Sequence, residues 1–164
     1  ELVTDSEGVV APRLSDVSLS ANEALEGHSK VMRFVVRMLC AGLIHGDLSE
    51  FNILLDENGP VIIDLPQAVD AAANNNAESM LQRDVNKIRS YYGQYAPELL
   101  NTQYAKEIWK LFEDGELQPE IQLKGVFAEN TQDADVDGVL QEIESVIAEE
   151  QIRQERLIEA ESLP

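Results

Sequence analysis

Residues 43 to 67 read LIHGDLSEFNILLDENGPVIIDLPQ, and this stretch constrains the chain more than any other. Two short β-rich runs, NILLD and PVIID, are joined by ENG, the signature of a hairpin with a tight turn at Asn58-Gly59. Asn52 starts the first run and Asp64 ends the second, so antiparallel pairing brings these two oxygen donors side by side. A hard divalent cation fits such a pair. Mg²⁺ in particular takes one or two protein oxygens and completes its shell with substrate phosphates and water. Asp47 lies five residues before Asn52 in the loop HGDLSEFN, outside the strand, where it is free to accept a proton from an incoming hydroxyl.

Asp and Asn beside strands are commonly turn formers, and a lone D-x-x-x-x-N carries little information. The ordered set of His45, Asp47, Asn52, a hairpin and then IID carries much more. It is the layout of a phosphoryl-transfer lobe of protein-kinase type, in which one Asp handles the acceptor hydroxyl while an Asn and a second Asp hold the metal.

The flanking sequence supplies a scaffold for that loop. VVAPRLSDVSLS is an extended connector, and Ser20 with Glu23 forms a capping box for a helix over about residues 21–41. Ala24, Leu25, His28, Val31, Met32, Val35, Met38 and Leu39 recur at helical spacing, and Gly42 ends the pattern. LPQAVDAAANNN reads as a polar loop. Two further helices are expected over about residues 77–92 and 97–113, the second opening on Pro97. EDGELQPEIQLKG reads as a linker. Residues 136–160 read as one charged helix with a thin apolar stripe at Val136, Leu140, Ile143 and Ile147, supported by a Glu149–Arg153 pair. The predicted fold class is α+β, mainly helical, with the hairpin carrying the metal site. The expected domains are a lobe over residues 1–112 and an acidic linker and helix over 113–164.

Charge and composition exclude several classes. The formal charge is −19, with 16 acidic against 9 basic residues up to 112 and 15 against 3 beyond it. Such a surface repels phosphate backbones, so direct nucleic-acid binding by this segment is not expected. The 44% hydrophobic content suffices for a core, yet no apolar run is long enough to span a bilayer, and ELVTDSEGVV has no signal-peptide character. A cytoplasmic location without membrane contact is the expectation. Cys40, the single cysteine, falls in an apolar helical pattern and is expected to be buried and inert.

HGDLSEFNILL followed by IIDLPQAV resembles the RIO family of atypical serine/threonine protein kinases, whose catalytic loop reads H-x-D-L-S-E-[YF]-N and whose metal loop reads I-I-D-x-x-Q. APRLSDV and LQRDVNKI are similar to that family's flanking segments, and the resemblance covers about residues 1–112. It implies a kinase-like carboxy-terminal lobe with ATP as co-substrate, Asp47 as catalytic base, and Asn52 and Asp64 as Mg²⁺ ligands. It further implies that Leu54 and Ile63 lie under the adenine ring and that Glu1 and Val3 belong to a hinge strand whose backbone binds the adenine. Asp84 would anchor the catalytic loop, and His45 would brace it. A protein substrate is implied without being identified, and the family's association with small ribosomal subunit maturation is carried by the resemblance alone.

These residues contain no Gly-rich loop and no Val-Ala-x-Lys strand, so the amino-terminal lobe that covers the phosphates is absent from them and the piece is expected to be nearly inert alone. Two other readings are weighed. A small-molecule phosphotransferase of aminoglycoside or choline type calls for a His where Ser49 stands, and a non-catalytic binding module has no need of Asp47, Asn52 and Asp64 together.

Overall fold

The Ser20 hydroxyl accepts from the Glu23 N–H at 3.2 Å, and the Glu23 carboxylate accepts from the Ser20 N–H at 2.7 Å, closing the expected capping box at the start of helix α1, Ala21–Cys40. In the computed structural model, which describes residues 4, 7–65, 68–128 and 145–153, the chain divides into two compact units, 1–127 and 128–164. The first is an α+β unit. Helix α1 buries Ala24, His28, Val31, Met32, Val35, Val36 and Leu39 along one stripe, each large apolar side chain contributing about 1.5–3 kcal/mol on full burial. Gly42, at φ +81°, ends the helix with its N–H donated to the Leu39 carbonyl.

Strand β1, Leu43–Ile44, follows and leads through the loop to β2, Ile53–Asp56, and β3, Gly59–Ile62. β2 and β3 form the expected antiparallel hairpin, with Ile53 opposite Ile62 and Asp56 opposite Gly59. The reversal itself falls on Glu57 and Asn58, one residue earlier than expected. The Asp56 carboxylate accepts from the Asn58 N–H at 2.7 Å, and Gly59 takes the positive φ. The connector before α1 lies along β2, where Arg13 bridges Leu54 and the Pro12 carbonyl accepts from the Leu55 N–H at 2.8 Å.

The stretch expected as a polar loop holds a short strand, β4 (Val69–Asp70), antiparallel to β1. Helix α2, Ala77–Gly93, matches its expected span and buries Leu81, Asp84, Val85, Ile88 and Tyr92. The helix expected over 97–113 is two elements, a 3-10 helix at Pro97–Asn101 and helix α3 at Tyr104–Glu113. The Thr102 hydroxyl donates to the Leu99 carbonyl at 2.6 Å, which competes with helix continuation, and Thr102 itself is extended.

The segment expected as a linker after residue 113 is tied down. Leu117, Ile121 and Leu123 pack on the core. The Glu107 carboxylate accepts from the N–H groups of Lys124 and Gly125, both at 2.7 Å, and Arg37 pairs with Glu120 at 2.8 Å. The compact unit therefore runs on to Phe127, past the expected boundary at 112. Cys40 corrects another expectation: at the last position of α1 it is exposed, its thiol 3.8 Å from the Leu117 carbonyl. In the second unit residues 145–153 are helical, Ile147 is 52% exposed, and Arg153 pairs with Glu150 at 3.9 Å instead of with Glu149. Val136, Leu140 and Ile143 lie outside the described residues. Among the described residues no helix is long and apolar enough to cross a membrane.

His28 is only 2% exposed, set against the rings of Tyr92 and Tyr104, and burial pushes its imidazole down to about 4. A depressed His contributes its full stability above the unfolded value near 6.5 and loses it as pH falls toward 4, a change on the order of 3 kcal/mol. The stability gap between the wild-type chain and His28→Gln, measured by urea unfolding, is therefore expected to shrink steadily from pH 7 to pH 4.5. A gap constant over that range would contradict the burial argument.

Candidate active site

Asp84 sits on the stripe of α2 that faces the core, one turn after Leu81 and one before Ile88, and is 2% exposed. A carboxylate there needs donors, and the loop after β1 provides them. Gly46 N–H donates to Asp84 Oδ2 at 2.7 Å and Leu48 N–H donates to Oδ1 at 3.1 Å. Burial pushes the Asp84 carboxyl above its ordinary range, and the two amide donors and the Arg83 guanidinium oppose that push. Arg83 grips the same loop from outside, Nη2 donating to the Gly46 carbonyl at 2.7 Å. Gly46 adopts φ +88°, a conformation costly to any residue with a Cβ, and both its backbone groups are used.

His45 joins the loop to the hairpin. Its Nδ1 accepts from the Asp47 N–H at 3.2 Å, so the ring proton is on Nε2, which donates to the Ile63 carbonyl at 2.8 Å. Both ring nitrogens are occupied, and the bracing role fits this geometry. His45, Gly46 and Leu48 are buried, and Asp47 between them is exposed. The loop's contacts thus fix the Asp47 backbone and leave its carboxylate outside.

Asn52 closes a 3-10 turn at Glu50–Asn52, which Ser49 opens by accepting from the Phe51 N–H at 3.3 Å. Its side-chain Nδ2 donates to the Asp47 carbonyl at 2.5 Å, leaving the amide oxygen as an available ligand atom. Pairing continues one step beyond the strands, with Ile63 N–H donating to the Asn52 carbonyl at 2.9 Å, so Asn52 stands opposite Ile63 and Asp64 follows one residue on. Asp64 is exposed and takes φ +68°, the sole non-glycine at positive φ among the described residues. Such backbone costs about 1–2 kcal/mol in most residues and least in Asp and Asn, and it ends the extended path directly after Ile63, the last paired residue. Among the described residues the Asp64 carboxylate has no hydrogen-bond or ion-pair partner.

The hairpin has two unlike faces. Ile53, Leu55 and Ile62 alternate onto the core side. Leu54, Val61 and Ile63 fall on the other side, half-buried and outside the core cluster. Leu54 and Ile63 thus share a face with an apolar third member, Val61, that the sequence reading did not single out. Glu1 and Val3 lie outside the described residues, as do Pro66 and Gln67.

An open cleft of about 730 Å³ lies beside the loop, lined by Asp47, Phe51, Asn52, Arg83, Lys87 and Tyr91 among others. Lys87 Nζ stands 3.7 Å from Asp47 Oδ1. Sequence reasoning anticipated Asp84 and missed Arg83 and Lys87. Their signal was the helical spacing of QRDVNK, which sets all three toward one loop. A second cleft, of about 440 Å³, is lined by α1, Tyr104 and residues 119–123 and includes none of the loop residues.

Asp84→Ala leaves two buried N–H groups without acceptors, at about 1–3 kcal/mol each. Amide hydrogen exchange at Gly46 and Leu48 is expected to accelerate in that variant, with a matching loss in urea unfolding. Unchanged exchange at both amides would mean that other contacts hold the loop.

Comparison with known proteins gives the family of the chain. The family model of the RIO domain matches residues 1–105. The RIO-type serine/threonine-protein kinase Rio2 of Methanocaldococcus jannaschii is 46% identical over 78 residues, covering 47% of this chain and 28% of the relative. Rio1 of Haloferax volcanii, also named a RIO-type serine/threonine-protein kinase, is 37% identical over 94 residues, covering 56% and 31%. The human serine/threonine-protein kinase RIO1 is 36% identical over 83 residues, covering 50% and 14%. The chain spans less than a third of the length of these relatives. With the matched region extending from the first residues through α2 and into α3, and containing the whole loop after β1 and the hairpin, the chain belongs to the RIO domain family.

Proposed function

We propose that this chain is the carboxy-terminal lobe of an ATP-dependent serine/threonine protein kinase of RIO type. The observation that carries the reading is the exposed Asp47 carboxylate on a loop whose backbone is fixed by Asp84, Arg83, His45 and Asn52, at the mouth of an open cleft. Asp47 is positioned as the base that accepts a proton from an acceptor hydroxyl in that cleft.

The donor set suits Mg²⁺. Asn52 offers an amide oxygen and Asp64 a carboxylate with no hydrogen-bond or ion-pair partner among the described residues, and no cluster of three or more His, Cys, Asp or Glu among those residues makes a closed protein cage. Two hard oxygens at one end of a hairpin are what Mg²⁺ takes when nucleotide phosphates supply the remainder. When bound, the metal supplies charge neutralisation at the β- and γ-phosphates. Leu54, Val61 and Ile63 provide an apolar floor for the adenine. Positioning supplies most of the rate in phosphoryl transfer, so the lobe needs a phosphate-covering loop and lysine that these residues do not contain, and it is expected to be inactive by itself.

The test uses the full-length protein that carries this lobe. Asp47→Asn is expected to lower phosphoryl transfer by about 10²–10⁴-fold with nucleotide affinity nearly intact. Asp64→Asn, which tolerates the same backbone, is expected to lose Mg²⁺-dependent nucleotide binding, read by titration with and without the metal. Parental rates and affinities in both variants would overturn the assignment.

A further inference from the structure

Every contact that fixes Asp47 through the loop acts on its backbone. The N–H donates to His45, the carbonyl accepts from Asn52, and the neighbours Gly46 and Leu48 are clamped by Asp84. The carboxylate itself has one partner among the described residues, the Lys87 ammonium at 3.7 Å. Lys87 lies one turn beyond Arg83 and Asp84 on α2, so the helix that clamps the loop backbone also carries the one group that reaches the side chain.

Stability does not account for this pair. The two side chains are 43% and 54% exposed, and exposed pairs contribute about 0–1 kcal/mol. The loop is already held by four hydrogen bonds from Asp84, Arg83 and His45. Both partners do, however, line the acceptor cleft. A carboxylate at the rim of an open cleft samples several rotamers, and a proton acceptor is effective only in the one that meets the incoming hydroxyl.

We propose that Lys87 is a positioning residue for phosphoryl transfer, its ammonium holding the Asp47 carboxylate toward the acceptor cleft. The inference rests on the reading of Asp47 as the base. Lys87 moves no proton and bonds to no phosphate in this role. It restricts where the carboxylate sits and places a positive charge beside an approaching acceptor in a chain that is otherwise strongly acidic.

Single-turnover autophosphorylation of the full-length protein with Mg²⁺-ATP provides the test, comparing Lys87→Met, Lys87→Arg and Asp47→Asn. Lys87→Met is expected to lower the rate at saturating ATP by about tenfold or more, with the ATP concentration for half-maximal rate and the melting midpoint unchanged. Lys87→Arg, which keeps charge and reach, is expected to restore most of the rate. A parental rate in Lys87→Met, an arginine variant as slow as the methionine one, or a change confined to the ATP dependence would each overturn the proposal. Asp47→Asn separates the two levels. Loss of transfer there with a parental Lys87→Met rate would sink the role of Lys87 alone, whereas parental transfer in Asp47→Asn would sink the base assignment and this inference with it.

Discussion

The carboxylate of Asp84 is the contact on which the arrangement of the lobe depends. It occupies a core-facing position of α2 where an apolar side chain would pack without penalty, and it is tolerable there because two loop amides are aimed at it. The dependence is mutual. Without the carboxylate, the amides of Gly46 and Leu48 are buried donors lacking acceptors. Without the loop, Asp84 is a buried charge lacking donors. The mutual requirement fixes the loop against the helix over the 38 residues that separate Gly46 from Asp84 in sequence, and it leaves Asp47, flanked by buried neighbours, as the residue that faces outward.

The hairpin extends this order to the other end of the site. His45 donates to the Ile63 carbonyl while Ile63 donates to the Asn52 carbonyl, so loop, 3-10 turn and β3 share one short backbone network. The period-2 alternation of the strands then divides the work. One face carries Ile53, Leu55 and Ile62 into the core and secures the register, since a slip of one residue would turn these side chains outward. The opposite face is left with Leu54, Val61 and Ile63, apolar yet not part of the core.

Local chemistry was legible in the sequence. The capping box at Ser20, the stripe of α1, the span of α2 and the hairpin between Asn52 and Asp64 all follow from patterns within a few residues. What escaped depends on partners far along the chain. Strands of two residues, β1 and β4, have no periodicity to detect and exist because Gly42–Ile44 and Val69–Ala71 meet. Residues 114–125 have the composition of a linker but are secured by Glu107 and Arg37. Thr102 interrupts a helical pattern through a single hydroxyl. In the site, Asp47, Asn52 and Asp64 stand out because loop and hairpin are contiguous, while Arg83 and Lys87 leave only the helical spacing of QRDVNK, and which loop that face meets is set by how α2 packs.

The left-handed backbone at Asp64 has a consequence for how this position tolerates change. Conformation alone admits Gly, Asn and Asp with little penalty, and the proposed metal role alone admits Asp and Glu. Only one residue satisfies both demands. Exchange for Asn tests chemistry on an intact fold, exchange for Glu keeps the charge on a backbone that disfavours it, and exchange for Ala confounds the two. Position 64 is thereby a natural point at which the mutational tolerance of the fold and that of the activity come apart.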